Sequence, residues 1–110
     1  MKKVFVKSED EIDFLIDENK NNSSLLLVKF SADYCPPCRS ISKNIDFLIE
    51  EKGEDFLVAE IDVTKFPKLC SREIFSVFSV PSTFLFKEGL VVKKKIGNMS
   101  LNELRKFIYN

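Results

Sequence analysis

The sequence contains no histidine and no tryptophan, and only three of its 110 residues are cysteine. Zinc sites usually take four ligands from cysteine, histidine and carboxylate side chains, so Cys35, Cys38 and Cys70 would need an acidic residue to complete one. We therefore predict no metal site. Three cysteines are also too few for the disulfide framework of a small secreted domain, and an odd number leaves one cysteine unpaired.

Long apolar runs are missing as well. The lysines near the N-terminus are not followed by an apolar run of signal-peptide length, because Lys7 and the acidic residues 9–11 interrupt it. No stretch approaches the roughly 20 apolar residues that a membrane-spanning helix needs. We therefore predict a cytoplasmic protein.

Neither sign of charge is in excess, since 17 Lys and Arg residues balance 17 Asp and Glu residues. A neutral chain has no general attraction to nucleic acid or to an anionic membrane, so we expect neither as a partner. A length of 110 residues suits one compact domain, and the chain shows no repeat or linker. We predict a single domain over residues 1–110, and a monomer.

Hydrophobic periodicity and turn residues predict five strands and four helices. The predicted strands are Val4–Val6, Leu25–Phe30, Phe56–Val63, Thr83–Phe86 and Leu90–Ile96. The predicted helices start at a Ser8–Glu11 capping box, at Cys35 (ending at Lys52, with Gly53 as its stop), at Pro67, and at a Ser100–Glu103 capping box.

The predicted order is β-α-β-α-β-α-β-β-α, with Lys87-Glu88-Gly89 as the hairpin turn between the last two strands. Strands that alternate with helices pair in parallel through right-handed crossovers. We therefore predict an α/β protein with helices on both faces of one mixed sheet.

The segment Cys35-Pro36-Pro37-Cys38 directly follows a predicted buried strand. Proline is favoured in the first turn of a helix, so Cys35 is expected at a helix N-terminus, where the helix dipole favours a thiolate. Cys38 lies on the same face of that turn, close enough to form a disulfide with Cys35. This arrangement suits reversible dithiol–disulfide exchange, and we favour it over two cysteines that merely pack inside a helix.

Three segments together resemble the thioredoxin family. Residues 30–39, Phe-Ser-Ala-Asp-Tyr-Cys-Pro-Pro-Cys-Arg, are similar to the active-site segment of thioredoxins. Residues 80–84, Val-Pro-Ser-Thr-Phe, are similar to their cis-proline turn, and Gly97 falls where the family has a glycine. The resemblance covers essentially the whole chain. It implies the thioredoxin fold, with a central mixed five-stranded sheet flanked by four helices.

The resemblance also implies the roles of individual residues. Cys35 would be the attacking nucleophile and Cys38 the resolving thiol. Pro81 would follow a cis peptide bond and face the cysteines, rather than being an ordinary trans proline at a strand edge. The backbone of Val80 would pair with an extended substrate. The other expected substrate-binding residues are Tyr34, which stands where thioredoxins usually have tryptophan, Pro36 and Gly97.

A protein with these residues is expected to reduce protein disulfides. It would be re-reduced by a thioredoxin reductase, with no bound cofactor beyond the redox-active Cys35–Cys38 disulfide. Two alternatives stay open. The same residues run in reverse would make a disulfide oxidase or isomerase, and the fold could serve as a binding module whose action does not depend on its redox state.

One departure from the family pattern is electrostatic. Thioredoxins carry a buried aspartate on the strand before the active site and a lysine on the neighbouring strand, whereas the matching positions here hold Lys29 and Glu60. A lysine buried without a partner would cost several kcal/mol, so we predict that Glu60 pairs with it. Glu60 would then accept the proton of Cys38. The alternative is that Lys29 extends to the surface and Glu60 is solvated.

Two further features have simple structural explanations. Cys70 is expected to be a small buried apolar residue, with a regulatory or intermolecular thiol as the alternative. The run Lys93–Lys95 is expected to be the solvated face of an edge strand, where lysines discourage pairing with other chains.

Overall fold

The computed structural model describes residues 3–52 and 56–110, and within them the elements follow the predicted order. The strands are β1 (Lys3–Phe5), β2 (Leu25–Ser31), β3 (Phe56–Asp62), β4 (Ser82–Lys87) and β5 (Leu90–Ile96). The helices are α1 (Glu9–Lys20), α2 (Pro36–Lys52), α3 (Pro67–Ser71) and α4 (Leu101–Tyr109). Gly53, the predicted stop of α2, lies outside the described residues. None of the helices in the described ranges is long and apolar enough to cross a membrane.

The strands form one sheet in the order β1-β3-β2-β4-β5. The first three of these are parallel to one another, and β4 runs antiparallel to both β2 and β5. The predicted mixed five-stranded sheet is therefore confirmed. Strand β2 lies at its centre, so the segment that follows β2 emerges from the middle of the sheet.

Hydrophobic cores cover both faces of the sheet, because successive side chains of a strand point to opposite faces. One core packs against α1 and α3 and includes Ile12, Leu26, Val28, Phe30, Leu69, Phe75 and Phe84. The other packs against α2 and α4 and includes Leu27, Ile41, Ile45, Leu48, Leu104 and Ile108. Lys29 lies two residues after Leu27, and this spacing turns its side chain toward α2.

The two predicted capping boxes differ in the structure. The Ser100 hydroxyl accepts from the Glu103 N–H (3.1 Å) and the Glu103 carboxylate accepts from the Ser100 N–H (3.0 Å), so that box is confirmed. At α1, the Ser8 hydroxyl accepts from the Glu11 N–H (3.1 Å), but the Glu11 carboxylate accepts from the Lys7 N–H (2.6 Å). The prediction of a full box at Ser8 is wrong, because the chain bends there so that the preceding N–H reaches the carboxylate.

Lys94 and Lys95 are exposed on the edge strand β5, as predicted, whereas Lys93 is half-buried. The Lys93 ammonium donates to the carbonyls of Lys106 (3.3 Å) and Phe107 (3.0 Å) at the end of α4. A cation is stabilised there by the helix dipole. The Lys94 ammonium donates to the Phe75 carbonyl (3.3 Å). Two of these lysines therefore tie β5 to other parts of the fold.

A buried asparagine fastens the β4–β5 hairpin to the rest of the fold. The Asn19 side chain accepts from the Gly89 N–H (2.7 Å) and donates to the Ser24 carbonyl (2.9 Å). Glu88 and Gly89 have φ values of 54° and 81°, which the predicted tight turn between paired strands requires. The turn and the end of α1 are thus held by one side chain.

Replacing Asn19 by alanine should lower the free energy of unfolding by about 2 kcal/mol, because the buried Gly89 N–H loses its acceptor. The matched control is Asn21→Ala, since Asn21 is exposed and its side chain donates only to the Asp17 carbonyl (3.2 Å). We expect the control to lose less than about 1 kcal/mol. Urea denaturation measures both, and equal losses would contradict this account of Asn19.

Candidate active site

Cys35 lies at the junction between β2 and α2, immediately before the first helical residue. The Cys35 carbonyl accepts from the Arg39 N–H (3.3 Å), as the residue that caps a helix does. Its Sγ accepts from the Cys38 N–H (3.2 Å). Pro36 and Pro37 have no N–H, so Cys38 offers the first amide that the sulfur can reach. The predicted position of Cys35 at a helix N-terminus is confirmed.

Cys35 and Cys38 form a disulfide, with their Cα atoms 5.2 Å apart. The prediction that the two cysteines can bond is therefore confirmed. Both residues are buried, Cys35 being 5% exposed and Cys38 2%. Cys38 is the third residue of α2, and the Cys35 sulfur lies near a neighbouring loop.

That loop contains the Val80–Pro81 peptide bond, which is cis as predicted. The Val80 carbonyl oxygen is 3.8 Å from the Cys35 Sγ, and Val80 packs against the small cluster that contains both cysteines. The Gly97 N–H donates to the Pro81 carbonyl (2.8 Å). The structure therefore brings three of the predicted substrate-binding residues together beside Cys35.

The two other predicted substrate-binding residues flank Cys35 in the chain. Tyr34 is 72% exposed, and Pro36 is exposed as well. An exposed aromatic ring next to a reactive cysteine adds apolar surface that a partner can bury. Val80, on the neighbouring loop, is half-buried, and Pro81 is buried.

Lys29 and Glu60 form the predicted ion pair. The Lys29 side chain is 1% exposed, and its ammonium lies 2.7 Å from the Glu60 carboxylate, which is 14% exposed. The ammonium also donates to the Cys38 carbonyl (3.1 Å) and to the Ser42 hydroxyl. The alternative that Lys29 extends to the surface is wrong. All three of its N–H groups have acceptors, as a buried ammonium requires.

Burial lowers the pKa of the Lys29 ammonium, and the hydrogen bond and charge of Glu60 oppose that shift. A cavity of about 220 Å³ opens beside the pair and is lined by Cys38, Lys29, Ser42 and Glu60, among others. A second cavity of about 270 Å³ reaches Glu60 from the side of β1 and is lined by Phe5 and Val6. Glu60 therefore borders two cavities, one of which also borders Cys38.

The comparisons with known proteins agree with this geometry. The family model named Thioredoxin matches residues 4–110. A thioredoxin of Mycolicibacterium smegmatis is 36% identical over 76 residues, which are 69% of this chain and 68% of that protein. A thioredoxin of Listeria monocytogenes is 32% identical over 91 residues, 83% of this chain and 86% of that protein. The chain belongs to the thioredoxin family.

The solved thioredoxin structure of Fasciola hepatica has a TM-score of 0.82 to this chain, with 27% identity and 94% of each chain covered. The predicted fold, an α/β thioredoxin fold, is confirmed. The protein is a thiol–disulfide oxidoreductase, and its redox group is the Cys35–Cys38 disulfide.

Sequence reasoning missed two polar residues of the site. Ser42 lies one helical turn after Cys38, and its hydroxyl also lies 3.3 Å from the Glu60 carboxylate. Thr83 is the cross-strand neighbour of Lys29, and its buried hydroxyl has no hydrogen-bond partner within the described residues. The spacing of four residues from Cys38 to Ser42 was the available signal for Ser42. Nothing in the sequence distinguishes Thr83 from an ordinary strand residue.

Cys70 is a free, partly buried thiol that packs against the core shared with α1 and α3. Burial raises the pKa of this thiol, so less of it is present as the thiolate at neutral pH. Within the described residues, His, Cys, Asp and Glu form no group of three or more that could hold a metal ion.

Replacing one member of the Lys29–Glu60 pair should lower the free energy of unfolding more than replacing both. We expect Lys29→Met to lower the free energy of unfolding by about 3 kcal/mol, because Glu60 is left without its cation. The double variant Lys29→Met/Glu60→Leu should recover much of that loss. Guanidinium denaturation of the two variants and of Glu60→Leu measures the coupling between the residues.

The matched control is Lys3→Met, which removes an ion pair with Asp46 (3.2 Å) that is far more exposed. Exposed pairs contribute little, so the control should lose less than about 1 kcal/mol. Strictly additive losses for Lys29 and Glu60 would show that the two side chains are not coupled.

Proposed function

We propose that the protein reduces disulfide bonds of other proteins, with Cys35 as the attacking thiolate and Cys38 as the resolving thiol. The observation that carries this assignment is the asymmetry of the two sulfurs. The Cys35 Sγ accepts the Cys38 N–H (3.2 Å) at the N-terminus of α2 and faces the Val80 carbonyl. The Cys38 N–H and the helix N-terminus favour a thiolate on Cys35, whereas within the described residues the Cys38 sulfur is not given these contacts.

The proposed reaction transfers two electrons from the dithiol to the substrate. The Cys35 thiolate attacks one sulfur of the substrate disulfide, forms a mixed disulfide and releases the other sulfur as a thiolate. Cys38 then loses its proton and attacks the Cys35 sulfur, which releases the second substrate thiolate and restores the Cys35–Cys38 disulfide. A thioredoxin reductase, with electrons from a flavin or NADPH, would return two electrons, so the protein itself would need no bound cofactor.

Glu60 is proposed as the acceptor of the Cys38 proton. Its carboxylate and Cys38 border the same cavity of about 220 Å³, which is large enough for water to carry a proton between them. Lys29 holds the carboxylate at 2.7 Å and the Cys38 carbonyl at 3.1 Å, and therefore acts as a positioning residue in this proposal.

The substrate is proposed to bind along the Val80–Pro81 loop. An extended substrate strand would pair with the Val80 backbone, between the exposed ring of Tyr34 and the segment at Gly97. Pro36, exposed beside Cys35, would complete this surface.

We also propose that residues 1–110 work as one monomeric domain in the cytoplasm, with protein disulfides and a reductase as partners and without nucleic acid or membrane. A reductive role and the free thiol of Cys70 support a reducing compartment.

One observation favours the oxidising direction as a second candidate function. The Lys29 ammonium donates to the Cys38 carbonyl, and a nearby cation stabilises a thiolate. Stabilising the reduced form of a cysteine pair makes that pair a stronger oxidant. Equilibration with glutathione at known ratios measures the potential and separates the two directions. A strong reductant should be mostly oxidised at equilibrium with a cytosol-like glutathione buffer, whereas a strong oxidant should be mostly reduced.

The roles of the two cysteines are tested by trapping. We expect the wild-type protein to reduce insulin in the presence of a thioredoxin reductase and NADPH, and Cys38→Ser to stop at a mixed disulfide with insulin. The Cys70→Ser variant should reduce insulin at the wild-type rate and serves as the matched control. Trapping by Cys35→Ser instead of Cys38→Ser would reverse the assigned roles.

Glu60 is tested in the resolving step. The double variant Lys29→Met/Glu60→Leu should form the mixed disulfide normally but resolve it at least about tenfold more slowly, because the proton acceptor of Cys38 is gone. Stopped-flow reduction of a model disulfide, quenched with acid and analysed by mass spectrometry, separates the two steps. A normal resolution rate in this variant would exclude Glu60 as the acceptor.

A further inference from the structure

Phe78 is the most exposed large apolar side chain among the residues that the structure describes. It is 96% exposed, although it lies only two residues before Val80 in the loop beside the disulfide. Leaving a phenylalanine ring in water forgoes the stabilisation that burial would give. The fold itself therefore makes no use of this ring.

The loop holds Phe78 in this outward position. The Val77 N–H donates to the Cys70 carbonyl (2.8 Å), and the Val77 side chain packs against the core. On the other side of Phe78, the Ser79 carbonyl accepts from the Ser82 hydroxyl (2.7 Å). Because both neighbours are fixed, the ring is presented to solvent by an anchored backbone.

Phe78 lies close in the chain to the residue that contacts Cys35. Two peptide units separate it from Val80, so the two Cα atoms lie within about 7.6 Å of each other. The Val80 carbonyl oxygen in turn is 3.8 Å from the Cys35 Sγ. Ile96 is 58% exposed and pairs across the strands with Ser82, whose hydroxyl reaches the same loop. Phe78 therefore lies in the loop that contacts the disulfide at Val80, and Ile96 is exposed on the strand that pairs with the end of this loop.

The proposed substrate is an extended polypeptide that follows this loop. In a strand, side chains two residues apart point to the same face and lie about 6.6–6.8 Å from each other. Phe78 and Val80 are likewise two residues apart in the loop. A substrate strand with its reducible cysteine at Cys35 would thus carry another side chain over the phenylalanine ring.

We propose that Phe78 is a specificity-determining residue that binds a large apolar side chain of the substrate, two residues from the cysteine that Cys35 attacks. The proposal rests on the proposed function, because the substrate must lie along the Val80–Pro81 loop. It commits Phe78 to a protein substrate, since the loop that presents the ring contacts the disulfide that the substrate must reach.

The test compares two disulfide-linked homodimeric peptides that differ at one position. One peptide has leucine two residues from its cysteine and the other has serine there, with the substitution made on each side of the cysteine in turn. Fully reduced protein is mixed with each peptide, quenched with acid and analysed by mass spectrometry, so no reductase is present. The readout is the ratio of the two rate constants, in which any general effect on the chemistry cancels.

On one side of the cysteine, the wild-type protein should prefer the leucine peptide by about tenfold, the size of discrimination that an apolar contact gives. Phe78→Ser should reduce the preference to near unity, and Phe78→Leu should keep most of it. Phe47→Ser is the matched control, since Phe47 is 57% exposed on α2, and it should keep the wild-type ratio.

A wild-type protein without preference, or a Phe78→Ser variant that keeps it, would overturn the proposal. If Phe78→Ser keeps the ratio but is reduced more slowly by a thioredoxin reductase, the ring contacts the reductase and the proposal is also wrong. Failure of the proposed function looks different, because the wild-type protein would then reduce neither peptide.

Discussion

The buried ammonium group of Lys29 determines how the residues at the centre of the molecule are arranged. A charge that is 1% exposed must be matched by acceptors, and three of them converge on it: the Glu60 carboxylate, the Ser42 hydroxyl and the Cys38 carbonyl. Glu60 is also the register partner of Lys29 between β2 and β3. Loss of any one acceptor would leave the buried ammonium without a partner in an apolar core. The strand register, which places Glu60, and the position of α2, which places Ser42 and Cys38, therefore depend on each other.

This constraint explains why the two sulfurs of the disulfide have different surroundings. A hydrogen bond from the Lys29 ammonium to the Cys38 carbonyl (3.1 Å) ties the start of α2 to the central strand β2. The same helical turn directs the Cys38 N–H to the Cys35 Sγ (3.2 Å), on the side of the Val80–Pro81 loop. The Cys38 backbone therefore contacts the buried ion pair, whereas the Cys35 sulfur faces the Val80 carbonyl.

Much of this arrangement is encoded in local patterns that a single sequence reveals. The alternation of the strands, the prolines after Cys35 and the polar break at Lys29 each predict their structure for a physical reason. The cis bond at Pro81 depended on the family resemblance, because proline alone does not specify its isomer. The sequence did not predict the roles of Ser42 and Phe78, or the hydrogen bond from the Lys7 N–H to the Glu11 carboxylate. Their contacts or exposure depend on how distant elements pack. Such residues are also common on helices and loops.

The exchange of charges between β2 and β3 also separates two tasks at Cys38. In the arrangement to which the sequence is similar, the carboxylate lies on the central strand, so the group able to accept a proton is the one placed at the resolving cysteine. Here the cation contacts the backbone carbonyl of Cys38, and the carboxylate lies on β3 and borders two cavities. A cation beside a thiol favours its ionised form, whereas a carboxylate disfavours it. In the proposed mechanism Glu60 removes the proton and Lys29 positions both groups, so the two side chains act as a coupled pair.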